Sequence, residues 1–410
     1  MATIFEVTPR VDTPATRRSA TKSGSQSGRG ELSSWGIGGR VVALRRWGSD
    51  KLYKLKERTG SISVGAERAS DIFLNDETVS RRHARLSRGD ADDHWSLLDL
   101  RSKNGIRADG IRQHVIRLEA GMVVHVGDVR LVAESKAFAN LRCYVCRLLG
   151  WGQSAMEKVD EALQELRTAQ LRRDPIVFVG EGDLAPVLRD LSCHLFGKDA
   201  PFVVSDPNRL LTDEEDVRRL RNEPILRDAA AAGVGGTVFL RSQRIDPSFP
   251  DVVCDLRDPR TSAKARQVQF MIGGPSVPAE AHTVRCAAPI VIPSLSDRGR
   301  EVEHVISEYY EDAMREFEVR TEIPAAERTW IHENCSSLAD VGKASRRVLA
   351  LRLASGNLAA AAARLEMAPV SLRRWLRGRN PPPMTLTEHV PGWVRVWRRV
   401  QGQQGEQGKP

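Results

Sequence analysis

Three stretches of this chain collect side chains that could hold an anion. In DIFLNDETVSRRHARL, Ser80, Arg81 and Arg82 are followed at once by His83. In LLDLRSKNGIRADG, Lys103, Asn104 and Gly105 make a polar turn after an alternating segment. A phosphate monoester carries nearly two charges and three acceptor oxygens, so hydroxyl, guanidinium and carboxamide groups suit it. The third stretch, SLRRWLRGR, has Ser371, Arg373, Arg374 and Arg377 on and around a helix whose Leu372 and Leu376 face a core. Cations so placed neutralise the phosphates of a nucleic acid.

These groups need elements to position them. SISVG, WSLLDL and VVHVG are short apolar or alternating runs bounded by Gly, Asp and Asn, which predicts the strands of a small sandwich. Loops at one end of such a sandwich can gather the Ser, Arg and Asn groups around one anion. Further on, LLGWGQSAMEKVDEALQELRTAQ sets Met156, Val159, Leu163 and Leu166 at helical spacing. DPIVFVGEGDLAPVLRDLSCHLFG then predicts a buried strand, a glycine loop and a helix, the setting of a P-loop. PFVV, GVGGTVFLRSQ and APIVIPSL predict three more strands, the last followed by a turn and a helix. KASRRVLALRLASGNLAAAAARLEMAPVSLRRWLRGRN predicts three helical runs. Gly356-Asn357 separates two of them, and Pro369 suits the first position of the third.

The region around SRRH, SKNG, L-E-A-G and H-V-G-D resembles a forkhead-associated (FHA) domain. The resemblance implies a β-sandwich that binds phosphothreonine peptides and catalyses nothing. It also implies that Ser80 and Arg81 hold the phosphate, that Lys103 and Asn104 hold the peptide beside it, and that His83 braces the loop. The family's Gly-Arg is Gly65-Ala66 here, so one phosphate-binding Arg is missing and Arg68 is the candidate substitute. The alternative is an FHA fold kept as a plain protein-docking surface.

Residues 148 to 340 resemble the AAA-type ATPase domain of sigma-54-dependent activators, through L-L-G-W-G-Q-S-A-M, I-V-F-V-G-E, A-P-F-V-V, G-G-T-V-F-L and I-P-S-L-S-D-R in that order. The catalytic parts are missing. The glycine loop GEGDLAPVLRD has no Lys, Asp183 and Pro186 occupy it, and the metal-binding acids after GGTVFL are Arg241-Ser242. Phe202 to Gly235 is too short for that family's sigma-contact loop, and its G-A-F-T-G-A motif is absent. These losses predict a pseudo-ATPase, with nucleotide binding without hydrolysis as the alternative. Gly356, Asn357, Ala362, Ala363, Leu365 and Leu372 are in step with the Fis-type helix-turn-helix that ends such activators. That resemblance implies a second helix in the major groove of DNA, with Ser371, Arg373 and Arg374 at the contact. Ala368 and Pro369 replace residues that are usually polar or basic there.

Composition frames these readings. The chain has 410 residues and a formal net charge of +9, which favours an acidic partner such as nucleic acid. Of six cysteines only Cys143 and Cys146 form a C-x-x-C, and no second pair completes a zinc site; two reduced thiols in a connector are expected. Residues 1 to 38, rich in Ser, Thr, Arg and Gly, are expected to be a disordered, solvated tail; the alternative is a kinase target, at Thr8-Pro9 or Thr13-Pro14, that docks onto an FHA surface of its own or a neighbouring chain. With no signal peptide and no spanning apolar run, a cytoplasmic protein away from membranes is expected.

The expected fold is multidomain: a disordered tail (1–38), an FHA β-sandwich (39–137), a degenerate α/β P-loop-like AAA domain (148–340), an α-helical helix-turn-helix (341–380) and a basic tail (381–410). The expected function is a non-enzymatic transcriptional regulator without cofactor or metal. It would bind a phosphothreonine-containing protein (a Ser/Thr kinase or its substrate) and double-stranded DNA, and homo-oligomers are allowed. The rivals are an active sigma-54-type ATPase and a phosphoprotein adaptor without DNA binding.

Overall fold

The structure is a computed structural model that describes residues 37–55, 60–88, 94–205, 232, 235–245, 247, 249–257, 268–377 and 379. The expectations for both tails lie almost wholly outside these residues, as does most of the short segment between Phe202 and Gly235.

Eleven short strands come first. β1 (Val41–Arg46), β2 (Leu52–Lys54), β7 (Ile106–Ala108), β8 (Ile111–Gln113), β10 (Val123–Val126) and β11 (Val129–Ser135) form one sheet in the order β2-β1-β11-β10-β7-β8. β3 (Ile62–Gly65), β4 (Ile72–Phe73), β5 (Ala84–Arg88), β6 (Trp95–Asp99) and β9 (Val115–Arg117) form the other, in the order β4-β3-β5-β6-β9. Alternation is the reason they pair face to face. In β6, Trp95, Leu97 and Asp99 point inward while Ser96 and Leu98 are half-buried. Leu44, Val64, Leu86, Trp95, Leu97, Val124 and Leu131 pack into one core between the sheets. All pairings are antiparallel except β3 with β4.

The expected connector is a helix. Ser135 caps α1 (Lys136–Leu149) by accepting from Phe138 N, so Cys143 and Cys146 sit on a helix, exposed and buried respectively, and both are free thiols. α2 (Gln153–Arg172) follows and buries Met156, Val159, Leu163 and Leu166, the four residues read at helical spacing. α1 and α2 lie against the back of the sandwich, where Ile37, Ala120, Val123 and Val132 join their core. The junction also holds a buried ionic cluster. Arg45 donates through Nη1 and Nη2 to Asp160 (2.9 and 2.5 Å) and through Nε to Glu134 (2.5 Å). Its carboxylate partners hold the guanidinium above its already high pKa, against the desolvation that opposes it.

Next comes a parallel sheet of β12 (Ile176–Val179), β13 (Phe202–Val204), β14 (Thr237–Arg241), β15 (Gln269–Gly274) and β16 (Ile290–Val291), in the order β13-β14-β15-β12-β16. Sequence reading missed β15, which lies between β12 and β14. It is buried along its whole length, so it lacks the alternation that marks a half-buried strand. α3 (Ala185–Phe196) and α4 (Phe249–Arg257) flank this sheet.

The C-terminal part is helical: α5 (Glu301–Glu316), α6 (Ala325–Asn334), α7 (Leu338–Leu353), α8 (Leu358–Arg364) and α9 (Pro369–Leu376). α7 runs unbroken across residues 340 and 341. Among the described residues no helix is long and apolar enough to cross a membrane.

Candidate anion-binding site

Three loops meet at one end of the sandwich: 66–71 after β3, 74–83 between β4 and β5, and 100–105 between β6 and β7. Backbone bonds tie the first to the second, Ala66 N to Ser80 O (3.0 Å) and Glu67 N to Arg81 O (3.1 Å). The approach is so close that a β-carbon on Gly65 would collide with the Arg81 carbonyl, so only glycine fits there. Side chains tie the second loop to the third. Lys103 N donates to Ser80 Oγ (3.1 Å), and Asn104 Nδ2 donates to the Thr78 carbonyl (2.7 Å).

His83 lies beneath, fully buried. Its Nδ1 accepts from Ser80 N (3.0 Å) and its Nε2 lies 3.0 Å from the Gly105 carbonyl. An acceptor at Nδ1 leaves the proton on Nε2, so the neutral imidazole bridges the two loops that carry Ser80 and Asn104. A second brace runs from Asp76, which accepts from Thr78 N (3.0 Å) and Oγ1 (2.6 Å); these bonds hold its carboxyl below the usual range.

The loops that carry the residues read from the sequence are therefore brought together: Ser80 and Arg81 on one, Lys103 and Asn104 on its neighbour, and Arg68 on the loop bonded to both Ser80 and Arg81 through its backbone. Ser80 Oγ accepts from Lys103 N, which leaves its own proton to donate outward. Asn104 uses one amide proton on Thr78, leaving the second proton and the carboxamide oxygen for a ligand. Arg68, Arg81 and Lys103 are exposed and form no ion pair among the described residues. Ala66, where the resembling family has Arg, is half-buried with its methyl packed on the sandwich core. Sequence reading missed Arg112 of β8, whose guanidinium lies against Gly105.

The glycine loop differs. It leaves β12 at Gly180 and enters α3 at Ala185, beside a cavity of ≈ 470 Å³ lined by Asp183, Arg241, Arg244 and the glycines Gly182, Gly273 and Gly274. Asp183 faces Arg241 Nη2 at 3.5 Å and Lys343 Nζ at 4.0 Å. Pro186 occupies the first turn of α3, where it removes one of the free N–H groups that a helix start offers an anion.

At the C-terminus, Asn357 caps α8 by accepting from Ala359 N and Ala360 N (3.0 and 3.1 Å), and Pro369 opens α9. Leu372 and Leu376 are buried against Leu351, Ala361, Ala362 and Leu365. Ser371, Arg373, Arg374 and Arg377 are exposed. Trp375, which sequence reading left without a role, meets Trp330 of α6 edge-on at 5.8 Å, with the Arg347 and Arg379 guanidinium groups over its ring.

The comparisons with known proteins concern the sandwich. A family described as "Inner membrane component of T3SS, cytoplasmic domain" matches residues 48–136. The oxoglutarate dehydrogenase inhibitor of Corynebacterium diphtheriae is 39% identical over 70 residues, covering 17% of this chain and 48% of that protein. Its counterpart in Corynebacterium jeikeium is 37% identical over 70 residues, covering 17% and 47%. The chain thus spans about half the length of these relatives. A structure from a study of phosphothreonine-dependent FHA domain interactions is 28% identical, covers 23% of this chain and 94% of its own, and has a TM-score of 0.21. Mycobacterium tuberculosis EmbR in complex with a low-affinity phosphopeptide is 26% identical, covers 22% and 24%, and has a TM-score of 0.21. The N-terminal part is thus a β-sandwich similar over residues 48–136 to that family, and a helical region ends the described chain.

Proposed function

We propose that this chain is a non-enzymatic regulator that binds a phosphothreonine-containing protein through the sandwich loops and double-stranded DNA through α8 and α9. The observation that carries the first half is the Ser80 hydroxyl. It is fixed by Lys103 N, stands beside exposed Arg81 and Lys103, and rests on a loop braced by the buried His83. Calorimetry with phosphothreonine peptides and their unphosphorylated twins tests it. Phosphorylation should tighten binding, Ala66→Arg should tighten it further, and Arg68→Ala reports whether Arg68 replaces the missing cation. Equal affinity for both twins, in the native chain and in Ala66→Arg, sinks the reading.

The DNA half rests on the four exposed polar and basic side chains of α9 and its end, Ser371, Arg373, Arg374 and Arg377, over a buried Leu372–Leu376 stripe. Each phosphate contact releases counterions, so Arg373→Ala with Arg374→Ala should lower the slope of log affinity against log salt by roughly 2. An unchanged slope favours the adaptor without DNA binding.

The region between is read as a degenerate AAA domain of the sigma-54-activator type, kept as a scaffold. Its support is the glycine loop after a central parallel strand, with Asp183 paired to Arg241 and Lys343 where phosphate and metal would need room and opposite charge. Purified protein should not hydrolyse ATP. Turnover lost on altering Arg241 would restore the active-ATPase reading.

A further inference from the structure

One more cation at the sandwich loops, Arg112, has no carboxylate partner among the described residues. In the β7–β8 ladder Arg112 stands directly opposite Arg107. Like charges facing each other across two strands repel. Arg107 is neutralised, because its Nη2 lies 2.9 Å from Asp128 Oδ1 and donates to the Gly127 carbonyl at 2.8 Å. Arg112 forms no ion pair among the described residues, and it is exposed.

Its guanidinium is nevertheless placed. Gly105 has φ +73°, and a β-carbon there would meet Arg112 Cζ at 2.8 Å and Nη2 at 2.9 Å. The head group therefore lies against Gly105, the residue that follows Lys103 and Asn104 and whose carbonyl pairs with His83. β8 is an edge strand, exposed along its length, and the neighbouring Ile111 is 66% exposed. An exposed cation with no ion pair among the described residues, on an open strand edge, suits an extended peptide with an acidic residue.

We propose that Arg112 is a second anion-binding position of this site, taking the carboxylate of an Asp or Glu that flanks the phosphothreonine. The inference rests on the phosphothreonine reading above and adds a selectivity to it: the partner segment is acidic beside its phosphorylated residue. Arg112 acts on the side chain of the partner, not on the phosphate.

The test uses the full chain and calorimetry. A phosphothreonine peptide with neutral flanks is compared with a set in which one Glu is walked through the flanking positions, each with an unphosphorylated twin. One Glu position should tighten binding about two- to fivefold, the scale of an exposed ion pair. Arg112→Ala should abolish that gain and leave the neutral phosphopeptide within about twofold, and Arg112→Glu should move the preference to Lys at the same position. A flat Glu scan on peptides that still need their phosphate overturns the second position alone. So does a gain that survives Arg112→Ala, or a loss in that variant that is equal for every phosphopeptide. Peptides that bind alike with and without phosphate overturn the phosphothreonine reading itself, and this inference with it.

Discussion

The sandwich loops and the glycine loop of the parallel sheet both look built for phosphate, and they treat charge in opposite ways. At the sandwich end, the groups beneath are satisfied: His83, Asn104, Asp76 and the backbones of Ala66 and Glu67 bond to one another. The charges above, Arg68, Arg81, Lys103 and Arg112, have no carboxylate among the described residues. At the glycine loop the charges answer each other, Asp183 with Arg241 and Lys343, beside a helix start that Pro186 has deprived of a donor. At the sandwich end the cations stay open to a ligand, whereas at the glycine loop Asp183 already answers Arg241 and Lys343.

The contrast can be broken or sharpened by changing which charges are committed. The largest effect belongs to Arg45, the most committed of all, buried between Asp160 and Glu134. Arg45→Ala should cost about 3–5 kcal/mol by leaving two buried carboxylates together. Urea denaturation reads this directly. A change below about 1 kcal/mol would mean that water reaches the cluster and that the sandwich is not fixed to α2.

Ser80→Ala should act the other way round. It removes a donor from the proposed phosphate position and only one loop bond from the fold. Phosphopeptide affinity should fall by about 1.5–3 kcal/mol, the worth of a hydrogen bond to a charged group, while the melting temperature changes little. Equal losses in binding and stability would make Ser80 a structural residue like His83.

Arg241→Ala breaks a pair in which both side chains are about a third exposed or more. Its effect on stability should stay below about 1 kcal/mol. ATP or its non-hydrolysable analogue then probes the freed cavity. Tight nucleotide binding in the variant but not in the native chain would show that the Asp183–Arg241 pair is what closes the site.

The smallest effect is a pH dependence of the loop itself. Asp76 is held below its usual pKa first by the Thr78 hydroxyl and then by the Thr78 N–H. A depressed acid contributes stability above its unfolded pKa and loses it as pH falls through the folded one. Hydrogen exchange of the Thr78 and Asn104 amides should therefore stay slow down to about pH 4 and open only below it. Asp76→Asn should remove the acid step.

Much of the site was legible because its chemistry is local. Ser80, Arg81 and His83 are neighbours in the chain, and so are Lys103, Asn104 and Gly105, so spacing alone reports them. The strands of the sandwich alternate, and α2 repeats every three or four residues, so a half-buried face writes itself into the sequence. Caps at Asn357 and a helix start at Pro369 are likewise decided within one turn. What the chain order could not carry is contact across distance. β15 is buried on both faces, so its apolar run has no period to read. Arg112 earns its place only through the β7–β8 register, which sets it opposite Arg107 and over Gly105. Trp375 is an anchor only because α6 brings Trp330 to it. Arg45 and Asp160 are 115 residues apart, and nothing local in the chain marks them as a pair that folding encloses together. Local propensity chooses the elements, but burial and pairing of charge depend on which surfaces meet, and only the packed chain settles that.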